Sequence, residues 1–322
     1  MSKRYFWFLL ALGLLPTLAI AQAYPSHPVK LVVGFAPGGA ADQVSRAYQE
    51  VLSRELGQPV VVENRAGAGS SIAAEYVAKS APDGYTLLIA SPSSILVNPI
   101  LSPKAGFDPR RDLLPVSKVS SSPLVVAAHA SVGAASLREL IAQAKKSPGK
   151  LNYGSSGNGS APHLAGVLFT RLAGVDLVHV PFKGGAAAIQ SVMAGDTQVT
   201  FGTPPTVLPQ VAGGRLRAIA VTSRHRAQSV PGLPGTDESG LPGYELSFWY
   251  GLFAPAGLPR ELVRKYHDTA VQAMAKAELK QMLAREGMDA TTSNSPEDFA
   301  GFLQREYEFW ARVVKDSGAK ME

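Results

Sequence analysis

The feature that most constrains this chain is a repeated unit: a short apolar run, a loop of glycine and small hydroxyl residues, then an amphipathic helix. It first appears at "LVVGFAPGGAAD", residues 31–42. Residues 29–35 read as a nearly continuous apolar strand, the pattern of a strand buried on both faces of a parallel sheet. Gly34, Pro37, Gly38 and Gly39 break the run, and Val44, Ala47, Tyr48, Val51 and Leu52 then share one face of a helix that Gly57 stops. Strands are expected at 60–62 and 86–90, with a helix at 72–78 and a turn at 81–84 between them. After Pro123 the pattern resumes, with strands at 124–128, 151–154, 177–180, 199–201 and 216–221. Helices are expected at 137–146, opened by a Ser136/Glu139 capping box, and at 164–172. Beyond Pro259 the chain reads as mainly helical, at 260–275, 278–286 and 296–314, the last capped by Ser295. Strands alternating with helices argue for an α/β architecture.

This is too much chain for one small core, yet no long linker divides it. "VSSSP" (residues 119–123) and "GLPGYELSFWYGLFAPAG" (residues 240–257) therefore read as two crossings between two α/β lobes. The expected division is 24–122 and 244–322 for the first lobe and 123–243 for the second, with a cleft between them. In open α/β sheets ligands bind beyond the carboxyl ends of strands, where the glycine-rich loops lie.

Lys3 and Arg4, an apolar stretch over 5–20, and Ala21-Gln22-Ala23 form a secretory signal, with cleavage expected after Ala23 and the bacterial periplasm as destination. The run falls short of the roughly 20 clean apolar residues of a membrane helix and is broken by Pro16. The chain has no cysteine, and a chain of about 300 residues buries enough apolar surface without disulfides. Removing Lys3 and Arg4 lowers the formal net charge from +6 to +4. Basic residues this scattered do not indicate nucleic acid, although a mild positive balance favours encounter with small anions.

Two loops carry the strongest chemical signal. In the first, Phe35, Ala36, Pro37, Gly38 and Gly39 lead into a helix whose first N–H groups lack partners and whose dipole attracts anions. Asp42 is expected to cap or order this loop, since its charge would repel an anion. The loop fits neither G-x-x-x-x-G-K-[ST] nor G-x-G-x-x-G, which excludes the common nucleotide motifs. In the second, "YGSSGNGSAPHL" (residues 153–164) offers Ser155, Ser156 and Ser160, with His163 at the helix start. A hydrolase elbow G-x-S-x-G fails at its last position, Asn158, and no acid is placed to partner His163. That leaves an exported serine hydrolase as a minor alternative and packing or anchoring as the main role of His163. Weaker candidates at other strand ends are Ser91 and Ser93, Gly184 and Gly185, and Thr203. The six histidines are dispersed without metal-ligand spacing, and Phe248, Trp249, Tyr250, Phe309 and Trp310 read as core. No metal and no cofactor are expected.

Taken together, "YPSHPVKLVVGFAPGGAAD", "VVENRAGAGSSIAAEYVAKSAPDGYTLL", "FDPRRDLLPVSKV", "LNYGSSGNGSAPHLAGVLF", "VHVPFKGGAAAIQSVMAGDTQVTF" and "GLPGYELSFWYGLFAPAGLP" give the chain its family likeness. It resembles the periplasmic solute-binding proteins of tripartite tricarboxylate transporters, the Bug-type receptors. The resemblance implies a two-lobed, type II Venus-flytrap fold of the periplasmic binding proteins, with two crossing strands. It implies a small organic acid or amino acid in the cleft, its carboxylate gripped from both lobes, often through ordered water, by residues 35–42 and 155–163. The expected partners are that ligand and membrane permease subunits; the receptor is expected to be monomeric and without a reaction of its own. An alternative output with the same fold is presentation of the ligand state to a membrane sensor. Gly34 and Ala36 stand where the family often has proline, and "FGTPPT" from Phe201 replaces a segment that more usually carries Asp or Asn. Thr203 and Pro204 are therefore expected to alter the pocket floor.

Overall fold

The computed structural model describes residues 24–101, 107–285 and 287–317. The expected signal segment, 1–23, lies outside the described residues. Chain order is β1 (Val29–Val33), α1 (Ala40–Leu56), β2 (Val60–Asn64), α2 (Ser71–Ala78) and β3 (Thr86–Ala90), then a π-turn (Ser93–Val97) running into α3 (Asn98–Leu101). Next come α4 (Pro109–Asp112), β4 (Leu113–Pro123), β5 (Val125–Ala128), α5 (Leu137–Lys146), β6 (Leu151–Ser155) and α6 (Ala161–Ala173). They are followed by β7 (Leu177–Pro181), α7 (Gly185–Ala194), β8 (Val199–Gly202), α8 (Pro204–Ala212) and β9 (Arg217–Val221). The chain ends with β10 (Ser247–Pro255), α9 (Arg260–Ala275), α10 (Ala277–Arg285), β11 (Asp289–Ala290) and α11 (Pro296–Ser317).

These strands form two sheets, ordered β11-β4-β10-β3-β1-β2 and β7-β6-β8-β5-β9. In the first, β2, β1 and β3 are parallel, and β10 and β4 add antiparallel to them. Val29, Leu31, Val32 and Val33 are inaccessible to solvent and only Lys30 is exposed, as a nearly continuous apolar run requires of a strand covered on both faces. The chain leaves the first sheet at Pro123, enters the second through β5, and returns to the first at Ser247.

Both expected crossings therefore lie in or beside long strands. β4 is eleven residues long and pairs with β10 over Leu113–Pro123, with register shifts that skip Val116 and Val119. Residues 119–123, expected as a crossing, belong to this strand, and Ser117, Ser120 and Ser122 are buried. β1 ends at Val33, two residues short of the run that suggested it, because Gly34 passes directly over Ser70. A Cβ at Gly34 would overlap the Ser70 hydroxyl, so the close approach needs glycine there.

Helix ends follow their capping residues. Ser136 Oγ accepts from the Glu139 N–H at 3.2 Å, and Glu139 reaches back to the Ala135 N–H at 2.8 Å. Ser295 Oγ accepts from the Asp298 N–H at 3.0 Å, opening α11 where expected. One apolar core runs through both sheets, including Tyr48, Trp249 and Trp310 as well as Tyr153, Phe169 and Phe201. A smaller cluster around Ile189, Val192 and Val207 lies in the second sheet's layer. No described helix is long and apolar enough to cross a membrane.

Candidate functional site

A cavity of about 80 Å³ lies between the two sheets, room for about five to eight waters at 10–15 Å³ each. From the first sheet it is lined by Phe35, Ala36, Pro37, Gly39, Ala40 and Ala41, by Ser93 after β3, and by Phe248 and Tyr250 on β10. The second sheet contributes Ser155 and Ser156, Ala161 and Pro162, the loop Lys183–Gly184–Gly185, and Thr200, Gly202, Thr203 and Thr206, among others.

Four helix N-termini open onto this space: α1, α6, α7 and α8. Each would present unpaired N–H groups and the positive end of a helix dipole. Proline changes that balance. Pro162 removes the donor at the second position of α6, and Pro204 and Pro205 remove two from α8. Ala40 and Ala41 of α1 and Gly185 and Ala186 of α7 keep theirs.

The first loop is held from behind. Asp42, 3% exposed, accepts from the Gly38 N–H at 3.0 Å, from Arg46 Nε at 2.8 Å and from Asn64 Nδ2 at 2.9 Å. Asn64 Nδ2 also donates to Phe35 O at 3.0 Å, so one carboxylate and one amide fix both ends of the loop. Burial by itself would raise the Asp42 pKa, but the donors from Arg46, Gly38 and Asn64 outweigh it and hold the carboxyl below its ordinary value.

The second loop has a matching support built of histidine. His163 Nδ1 accepts from the Gly159 N–H at 3.1 Å, and its ring stacks on His179 with centroids 4.1 Å apart. His179 Nε2 lies 2.6 Å from Ser155 Oγ, which accepts from the Gly157 N–H at 3.1 Å. Burial pushes His163 down to about 4; burial and the neighbouring His163 push His179 down to about 3. Both rings are neutral at ordinary pH, as the acceptor role of His163 Nδ1 requires. Asn98 joins the supports. Its Nδ2 donates to Ala68 O, Gly69 O and Ser71 Oγ, while Gly159, with φ +71°, packs so closely that a Cβ there would meet Asn98 Oδ1 at 2.6 Å.

Of the residues singled out in the sequence, Phe35, Ala36, Pro37, Gly39, Ser93, Ser155, Ser156, Gly184, Gly185 and Thr203 line the cavity. Gly38, Asp42, Ser91, Ser160 and His163 stand outside the lining. Ser160 caps α6 by accepting from the His163 N–H, and the buried Ser91 hydroxyl has no partner. Thr203 lines the floor, but its hydroxyl faces Thr206 Oγ1 at 3.2 Å.

Sequence reasoning missed Lys183, the one charged side chain among the residues lining the cavity; no carboxylate lines it. Its one signal was not local: the loops at the other candidate strand ends carry no basic residue. Phe248 and Tyr250 correct the reading of the late aromatics as core alone. They are buried and pack edge to face at 4.9 Å, yet they also line the cavity, because alternation along β10 turns them to that face while Trp249 and Phe253 point the other way. Ser93 and Tyr250, 1% and 3% exposed, have no side-chain hydrogen-bond partner among the described residues.

Residues 44–319 match the model of the tripartite tricarboxylate transporter family receptor. BugT of Bordetella pertussis is 35% identical over 303 residues, covering 94% of this chain and 93% of BugT. Rpa4515 of R. palustris, solved with adipate, superposes with a TM-score of 0.89 at 33% identity, over 92% of this chain and all of that one. MatC of Rhodopseudomonas palustris, solved with bound malate, gives 0.83 at 30% identity, over 90% of this chain and all of that one.

Proposed function

The chain belongs to the tripartite tricarboxylate transporter receptor family, and from that premise we propose that its cleft captures a small carboxylate in the periplasm for a tripartite membrane transporter. The observation that carries this reading is the cavity wall: helix N-termini, hydroxyls and one ammonium, with no carboxylate. Such a wall favours an anion by charge and dipole, and leaves room for bridging water, which is nearly as good enthalpically as a direct hydrogen bond. The adipate and malate held by the two solved neighbours are ligands of that chemistry.

In this reading residues 1–23 direct export and are removed after Ala23. The first lobe comprises 24–122 and 244–322 and the second 123–243, and the monomer closes on its ligand before meeting the permease subunits. The protein acts as a receptor without a reaction. Ser155 and His179 form a close pair, but a histidine held at about 3 is a weak base at neutral pH, and no described carboxylate orients its ring.

The test is thermal unfolding of the protein, first denatured and refolded to free it of carried-over ligand, against dicarboxylates, tricarboxylates, aromatic acids and acidic amino acids. A true ligand at 100 times its Kd adds about 2.7 kcal/mol of stability. A flat response across the panel would sink the carboxylate assignment.

A further inference from the structure

We propose that Lys183 makes this receptor selective for ligands with two anionic groups, by pairing with the second while the α1 terminus holds the first. The inference rests on the carboxylate reading above and narrows it to dianions.

Three observations carry it. First, the prolines of α6 and α8 leave α1 and α7 as the two N-termini with both early donors, and these stand on opposite walls of the cavity. Second, Lys183 immediately precedes Gly184, the N-cap of α7, so its ammonium adds to the dipole of the same wall. It is exposed and has no ion-pair or hydrogen-bond partner among the described residues. Third, two polar side chains without side-chain hydrogen bonds among the described residues, Ser93 and Tyr250, line the same cavity and are each more than nine-tenths buried.

The two poles differ in stiffness. At α1 the loop is fixed by Asp42 and Asn64, and Ala40 and Ala41 are buried, so the first carboxylate meets donors already in place. At α7 the backbone is anchored, since the Phe182 N–H donates to Ser155 O at 3.0 Å, but the lysine stem beyond it is free to reach. A monocarboxylate leaves this ammonium in water at little cost. A dicarboxylate draws it into the cleft and gains a charge-assisted contact.

The experiment is titration calorimetry of wild type, Lys183→Gln and Lys183→Arg with three matched pairs: succinate and butyrate, glutarate and pentanoate, adipate and hexanoate. In wild type the best-bound dicarboxylate is preferred to its monocarboxylate partner. Lys183→Gln lowers that ratio by about tenfold, the size of one charge-assisted contact, and Lys183→Arg retains most of it. Raising the salt concentration erodes the ratio in wild type more than in the glutamine variant. A ratio unchanged in Lys183→Gln overturns the proposal, whether both affinities fall together or neither does, and so does a wild type that prefers the monocarboxylate. A wild type that binds none of the six acids, nor any other member of the carboxylate panel, marks failure of the carboxylate reading itself and overturns both.

Discussion

Asp42 shows how a buried carboxylate orders a cavity-lining loop without lining the cavity itself. It stands at the third position of α1 and spends its oxygens on Gly38, Arg46 and Asn64, all of which shape the loop in front of it. Asp42→Ala removes three accepted hydrogen bonds from a buried site and leaves the half-buried Asn64 amide with Phe35 O as its remaining acceptor, which costs about 2–3 kcal/mol of folding stability. Ligand affinity falls as well, because the loop then samples other conformations. Urea unfolding and calorimetry of the variant check both, and an affinity equal to wild type would show that the loop holds its shape without the carboxylate. This role was legible in the sequence, since a carboxylate three residues into a helix, behind a glycine turn, reads as a cap. Lys183 was not. Nothing local separates a solvated lysine from one at a cavity edge; what distinguishes it is that the other strand-end loops, distant in sequence, bring no basic residue of their own.

The second loop is shaped by an element pairing, α6 against β7, rather than by one residue. His163 on α6 and His179 on β7 stack, and each holds the loop through a ring nitrogen, at Gly159 and at Ser155. The folded protein keeps both rings neutral, with values depressed to about 4 and about 3, whereas the unfolded chain protonates them near 6.5. The unfolded state therefore binds more protons between these limits. Stability from the pair is complete above about pH 6.5 and is lost as the pH falls toward 4, His163 alone accounting for about 3 kcal/mol. Denaturant melts at pH 7 and pH 4.5 test this, with His163→Asn, which keeps an acceptor without titrating, flattening the decline; an undiminished decline would place the pH dependence elsewhere. The strands carrying His179 and its partner Ser155 were read within a residue or two of their observed ends, because Leu177–Pro181 and Leu151–Ser155 are bounded by glycine and turn residues. β4 escaped, since a serine-rich segment has the composition of a loop, and only pairing along β10 gives its buried hydroxyls a place.

At the scale of the whole molecule, the two sheets share a core. Tyr244, between β9 and β10, donates its hydroxyl to Ala165 O of α6, and residues of both sheets belong to one buried cluster. Two lobes so joined unfold together: far-ultraviolet dichroism and tryptophan fluorescence should give superimposable denaturant transitions. Two separated transitions would show that each lobe has a core sufficient to itself. That the chain builds two sheets was readable from its two runs of strands and helices. The shared core was not, because apolar periodicity tells which face of a helix is buried and not which sheet buries it.

Glu306 accepts both described indoles, Trp249 Nε1 at 2.8 Å and Trp310 Nε1 at 3.2 Å, so two chromophores answer to a single carboxyl. The flanking residues Phe248 and Tyr250 form part of the cavity wall. Trp249 is one peptide bond from each of these two cavity-lining residues, so the indole pair is the place to look for a response to a bound carboxylate. Tryptophan emission is expected to shift as the best-bound carboxylate is titrated in, and an unchanged spectrum would show that occupancy does not reach β10.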